Sequence, residues 1–114
     1  MRDRNFDLRV YEKEAIEKLI SFCEHPLVKK FAYVRHYGSS QTCSHFHFYF
    51  VVKGTPDNKC IEELIGLNTY KIFFNFTYSE SDIIRYFLGL SRELNCNVDS
   101  FKTNIKEFMK YNAV

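Results

Sequence analysis

Residues 43–54, CSHFHFYFVVKG, constrain the fold more than any other stretch of this chain. Side chains of a β-strand alternate between faces, so Phe46, Phe48, Phe50 and Val52 share one face and His45, His47, Tyr49 and Val51 share the other. The phenylalanine face demands an apolar cover, which in a chain of this size means helices laid on a sheet. Both imidazoles are thereby committed to the opposite face, about 6.5 to 7 Å apart along the strand.

The remaining elements supply that cover. The segment 5–11, NFDLRVY, alternates apolar and polar residues as a short strand. Residues 12–25 place Ala15, Ile16, Leu19, Ile20 and Cys23 at helical spacing and stop at His25, because the residue before Pro26 disfavours the helical conformation. Residues 30–38, KFAYVRHYG, read as a strand joined to the histidine strand in a hairpin. A second helix follows over 57–67, ending near Gly66, then a strand over 69–78. A third helix spans 79–94, capped by Ser79 or Ser81, and a fourth spans 99–111, with Phe101, Ile105, Phe108 and Met109 on one stripe. The expectation is an α+β fold: a ferredoxin-like, split βαβ antiparallel sheet of four to five strands, with helices on one face and additional C-terminal helices.

With 114 residues, 46% of them hydrophobic, and no linker, repeat or low-complexity segment, residues 1–114 read as a single domain with a real core. A formal charge of +2 is too mild to require a nucleic-acid partner, though it permits one. Cys23, Cys43, Cys60 and Cys96 form no C-x-x-C pair, so free thiols in a reducing compartment are expected. No apolar run of signal-peptide length opens the chain and none long enough to cross a membrane occurs. A soluble cytoplasmic protein without a membrane partner is expected.

If the hairpin closes over 37–44, His36 stands opposite His45, with Cβ atoms about 4.5 to 5.5 Å apart. Three imidazoles would then converge as nitrogen ligands for a divalent transition metal. Two plainer readings stay open. A His-x-His pair can be an exposed polar pair on an alternating sheet, and Cys43 shares the parity of His45 and His47, which would make a zinc site with a thiolate.

On three segments the chain resembles the HUH endonucleases, and among them the replication initiators of small rolling-circle plasmids and single-stranded replicons. AYVRHYGSS is similar to that family's strand-two segment, SHFHFYF to its H-x-H strand, and RYFLGL to its nucleophile helix, in the same order and at similar spacing. The likeness runs from about Phe6 to Leu94. It departs from the family at Tyr37 and Ser39, where aspartates would stand, and after the tyrosine motif, where a histidine is replaced by glycine or leucine.

The resemblance implies a metal-dependent enzyme that nicks and rejoins single-stranded DNA through a 5′-phosphotyrosine. In it His36, His45 and His47 would hold Mn²⁺ or Mg²⁺, with Zn²⁺ the alternative, and Tyr86 would be the nucleophile, with Tyr111 in reserve. Tyr49, Arg85 and Lys53 are accessory candidates for phosphate or base contact. The implied partners are single-stranded DNA or a replication origin, host replication proteins (inside a host cell if the gene is viral) and a second copy of the chain, since a single tyrosine performs a single transfer. The missing aspartates leave two other outcomes open: a catalytically silent nucleic-acid-binding module of the same fold, or a small zinc-dependent structural protein built on Cys43, His45 and His47.

Overall fold

The computed structural model describes residues 3–37, 44–67, 79–89 and 97–112. Four strands form one antiparallel sheet: β1 (Arg4–Val10), β2 (Val28–Tyr37), β3 (His45–Val52) and β4 (Asn97–Thr103), in the order β1-β3-β2-β4. Because β3 runs antiparallel to both β1 and β2, those two strands are parallel to each other, with β3 inserted between them. Helix α1 (Lys13–Phe22) makes the crossover. This is the split βαβ unit of the expected α+β fold.

Alternation along β3 divides the interior as the sequence implies. Phe46, Phe48, Phe50 and Val52 meet Phe6, Leu8 and Val10 of β1 and are covered by α1 and α2 (Asn58–Ile65). Helix α1 is shorter than expected at its C-terminus. Its last turn tightens, with Glu24 N donating to Ser21 O and His25 N to Phe22 O, before Pro26 forces the chain out. Helix α2 begins at Asp57, whose side chain accepts from Cys60 N, and closes on Gly66 at φ 84°, a left-handed cap that favours glycine.

The opposite face of the sheet is covered as well. Helix α3 (Glu80–Phe87) lays Ile83, Ile84 and Phe87 against Ala32, Val34 and Tyr49, alongside Phe101 of β4. Its N-cap is Ser79, whose Oγ accepts from Asp82 N. Helices therefore lie on both faces, a correction to the one face expected: α1 and α2 cover the phenylalanine side and α3 the histidine side, where Ala32, Val34 and Tyr49 also need an apolar cover.

The expected fourth helix is corrected. Residues 97–103 form strand β4 on the outer edge of β2, and only Lys106–Tyr111 coil, as a short 3₁₀ helix. The cause is a bulge. Between the pairs Tyr33–Lys102 and Arg35–Asp99 strand β4 carries one extra residue, accommodated where Ser100 adopts a left-handed φ of 59°. The extra residue resets the alternation, so that Val98 and Phe101 both face the second core. The resulting i, i+3 spacing of Val98 and Phe101, continued by Ile105 just past the strand, imitates a helical stripe in a segment that pairs with a strand. Asn104 extends the edge by accepting from Phe31 N and donating to Lys29 O.

The helix expected over 79–94 is shorter than expected: it ends at Phe87, with Leu88 as its C-cap and Gly89 at a left-handed φ of 73°. The strand expected over 69–78, residues 90–94 and Cys43 lie outside the described residues. Cys23 and Cys60 are free thiols. Among the described residues no helix is long and apolar enough to cross a membrane.

Candidate metal centre

The β2–β3 register places His36 directly opposite His45. His47, two residues along the same face, completes a cluster in which one ring nitrogen from each histidine lies within 4.8 Å of the others. Ring centroids stand 4.3 Å apart for His36 and His47 and 4.8 Å for His45 and His47. His36 and His47 are buried, and His45 is half-buried, so the cluster opens on the His45 side.

The hydrogen bonds decide what each imidazole can offer. His36 Nε2 is 2.9 Å from Phe87 O, a contact that requires an N–H donor at Nε2. The lone pair then resides on Nδ1, which is buried and has no hydrogen-bond partner. An outer nitrogen bonded to a backbone carbonyl, with the other left to donate its lone pair, is how metal-bound histidines are commonly oriented. Nε2 of His45 and Nε2 of His47 lie 3.0 Å apart. Two nitrogens each about 2.1 Å from one ion and at right angles would be separated by about 3.0 Å. The donor set fits a divalent cation, and these three histidines could hold one.

Electrostatics keep the ligands in their binding form. Burial, reinforced by His36, His45 and the charge of Arg9, pushes His47 down to about 2. Burial also lowers His36, against the opposing effect of its bond to Phe87 O. Both are neutral at pH 7, so a cation need displace no proton from them. Asp7, on the same face of β1, is pushed up to about 6 by burial, and its Oδ1 has no hydrogen-bond partner.

These shifts set the acid response of the metal-free chain. Below the unfolded histidine value of 6.5 the unfolded chain takes up protons that folded His47 refuses until about 2. Stability is therefore complete above that value and falls as pH falls, by about 1.4 kcal/mol per pH unit for each histidine so held. Asp7 acts in reverse: folded it keeps a proton up to about 6, which the unfolded chain loses above 3.8. Its contribution is present at low pH and lost as pH rises through that window. Thermal denaturation in a chelator should show stability level above about pH 7 and declining below about 6.5, with a gentler segment between about 6 and 4 where Asp7 offsets part of the histidine loss. Asp7→Asn should remove the gentler segment; an unchanged profile in that variant would refute the assignment.

Helix α3 brings Tyr86 to the cluster. Tyr49 Oη donates to Glu80 Oε2 at 2.8 Å, and Lys30 Nζ is 3.2 Å from Glu80 Oε1, which together pin the helix start to the sheet. The bond from His36 to Phe87 O pins its end. Tyr86 then stands at the flank of the buried stripe, 37% exposed, with its ring centroid 5.4 Å from that of His47 and 5.7 Å from that of His36.

The other candidates are placed elsewhere. Tyr111 packs on the second core through the C-terminal 3₁₀ helix, which Asn112 ties to Thr103 at the Ala32 end of β2, away from His36. Tyr49 is buried and its hydroxyl is engaged by Glu80, so it cannot stack on a base; its role is to anchor α3. Lys53 follows the far end of β3 from His45, and Arg85 is exposed on α3 beside Tyr86. An open groove of about 480 Å³ between α1 and α2, lined by Glu14, Glu17, Lys18 and Leu64 among others, lies across the sheet from the histidines and has no part in the centre.

Two residues of the surroundings escaped the sequence reading. Arg9 pairs in register with His47, and the Tyr11 ring lies 5.2 Å from that of His45. Their signal was available, since the alternation of NFDLRVY puts Asp7, Arg9 and Tyr11 on one face, but only the pairing of β1 with β3 shows that this is the histidine face. No family model, curated protein or solved structure matches this chain.

Proposed function

We propose that this protein is a metal-dependent endonuclease that nicks and rejoins single-stranded DNA through a 5′-phosphotyrosine on Tyr86, as the resemblance to the HUH replication initiators implies. The observation that carries this reading is the contact of the Tyr86 ring with His36 and His47, the two buried members of a three-histidine cluster.

His36, His45 and His47 would hold the cation, and their all-nitrogen donor set argues for Mn²⁺ over Mg²⁺, which prefers oxygen ligands; Zn²⁺ is the competing ion. When bound, the cation supplies Lewis-acid stabilisation of charge on the non-bridging oxygens of the scissile phosphate. Tyr86 Oη forms the new bond to phosphorus as the bond to the 3′ oxygen breaks, the tyrosine proton being lost and one being returned to the 3′ oxygen. The phosphotyrosyl ester retains the energy of the broken linkage, so a free 3′-hydroxyl can reverse the step and seal a strand. Glu80, Tyr49 and His36 hold α3 so that Tyr86 is presented without rearrangement, which is the larger part of what positioning contributes to such a reaction. The working compartment would be intracellular, beside host replication proteins, and a second transfer would use a second copy of the chain.

The test is incubation with end-labelled single strands of varied sequence and Mn²⁺, followed by a denaturing gel. A labelled band at the mass of protein plus DNA is the expected result. Failure to form an adduct on any substrate, with DNA binding intact, would leave a silent binding module. Unfolding on metal removal, rather than loss of chemistry, would indicate a structural zinc site.

A further inference from the structure

The histidine cluster is flanked by two exposed aromatic rings. Among the exposed large hydrophobic side chains of the described residues only Tyr11 and Tyr86 are aromatic, and both touch the cluster. Tyr86 approaches His36 and His47 from α3. Tyr11 approaches His45 from the end of β1 and, at 53% exposure, belongs to no core. Arg9 lies on the histidine face opposite His47, with its guanidinium carbon 6.0 Å from the Tyr11 ring centroid. Among the described residues it enters no ion pair.

That arrangement has a charge imbalance. The three histidines are neutral ligands, so a bound divalent cation keeps its full charge, and Arg9 adds another beside it. Two cations side by side repel unless an anion lies between them. A phosphodiester chain supplies that anion repeatedly, and the open face of Tyr11 supplies a flat apolar surface next to it. We propose that Arg9 and Tyr11 form the substrate rim of the centre: Arg9 binds the phosphate adjoining the scissile one, and Tyr11 stacks on the unpaired base between them. This rests on the single-stranded DNA reading above and assigns to that reading its first binding subsite. Tyr11 needs only its ring for the role, because stacking on a base is indifferent to base identity. Arg9 needs only its charge and donors, and contributes one counterion-releasing contact.

The experiment measures binding of fluorescein-labelled single strands, longer than the about 4–16 nucleotides such a module covers, to full-length protein in Mn²⁺. All variants carry Tyr86→Phe so that no covalent step intervenes. Tyr11→Ala should weaken binding by about 5- to 100-fold, and Tyr11→Phe should restore it. Arg9→Gln should weaken binding and flatten the slope of log affinity against log salt by about 0.7, whereas Arg9→Lys should keep the slope. Replacing one base of the strand by an abasic site at the stacked position should weaken the Tyr11 protein and leave Tyr11→Ala unaffected. Equal affinity of the Tyr11→Ala and Tyr11 proteins overturns the rim, as does a salt slope unmoved by Arg9→Gln. Because both side chains are exposed, the variants should melt with the parent. Should Tyr11→Ala fail to fold, the Tyr11→Phe and Arg9→Gln arms still decide. Adduct formation by the Tyr86 protein distinguishes the two readings: an adduct without Tyr11 dependence sinks the rim alone, and Tyr11-dependent binding without any adduct sinks the nicking reaction alone. No binding to single strands overturns both.

Discussion

Tyr86→Phe should lose the covalent protein–DNA adduct, with the rate of strand cleavage falling by about 10⁴- to 10⁶-fold, the scale on which removal of a nucleophile is felt elsewhere. Phenylalanine keeps the ring that rests against His36 and His47 and the helix that carries it, so neither the fold nor metal binding should change. What disappears is the oxygen that must bond to phosphorus. Tyr111→Phe should cleave like the parent, because that ring packs on the second core near the Thr103 end of β4. The comparison is direct on a denaturing gel with labelled single strands. An adduct that survives Tyr86→Phe and vanishes in Tyr111→Phe would reverse the assignment and imply a tertiary rearrangement of the C-terminal 3₁₀ helix.

His45→Ala should abolish metal binding at little cost to the metal-free fold. His45 is the half-buried member of the cluster, so its loss leaves no large cavity, and water entering on that open side can meet the His47 Nε2 that His45 faces at 3.0 Å. His36, by contrast, is buried and donates to Phe87 O, and replacing it would orphan that carbonyl at about 1 to 3 kcal/mol. Removing one of three ligands should weaken the cation by more than the 10- to 100-fold typical of losing an outer hydrogen-bond partner. At a Mn²⁺ concentration of about 100 times the parent Kd, binding stabilises the parent by about 2.7 kcal/mol, roughly ten degrees of melting temperature. His45→Ala should show almost none of that rise while melting close to the parent in chelator. A Mn²⁺-dependent rise of parental size in His45→Ala would exclude His45 from the centre.

The pH profile of the metal-free protein bears on both. The same burial that makes His36 and His47 ready ligands also makes the empty cluster acid-sensitive: stability of the metal-free chain should fall as pH drops below about 6.5, while folded His36 and His47 stay unprotonated and open to a cation.

Much of this molecule was legible along single strands and helices. The alternation of Phe46, Phe48 and Phe50 with His45 and His47 determines two faces of β3, because a strand without an extra residue has period two. The connection between β2 and β3 made His36 opposite His45 an expectation conditional on where the hairpin closes, and the observed register bears it out. Ser79 as a helix cap and Tyr86 at the edge of a buried stripe follow from the same local periodicities.

Where local patterns competed, the sheet decided. Val98, Phe101 and Ile105 suit a helical spacing as well as a bulged strand and its exit, and residues 97–103 became β4 because pairing there closes the open backbone edge of β2 while Val98 and Phe101 enter the second core. What the sequence by itself determined is therefore the two faces of β3 and the histidine pair that shares one of them, since these depend on alternation alone; the place of His36 beside them waited on the hairpin register. The tertiary structure alone decided that α3 covers the histidine face, that His36 Nδ1 is left without a partner, and that Tyr86 and Tyr11 approach the cluster from different elements. Those outcomes depend on which segments, remote in the chain, pack on a common surface, and a local period carries no record of that.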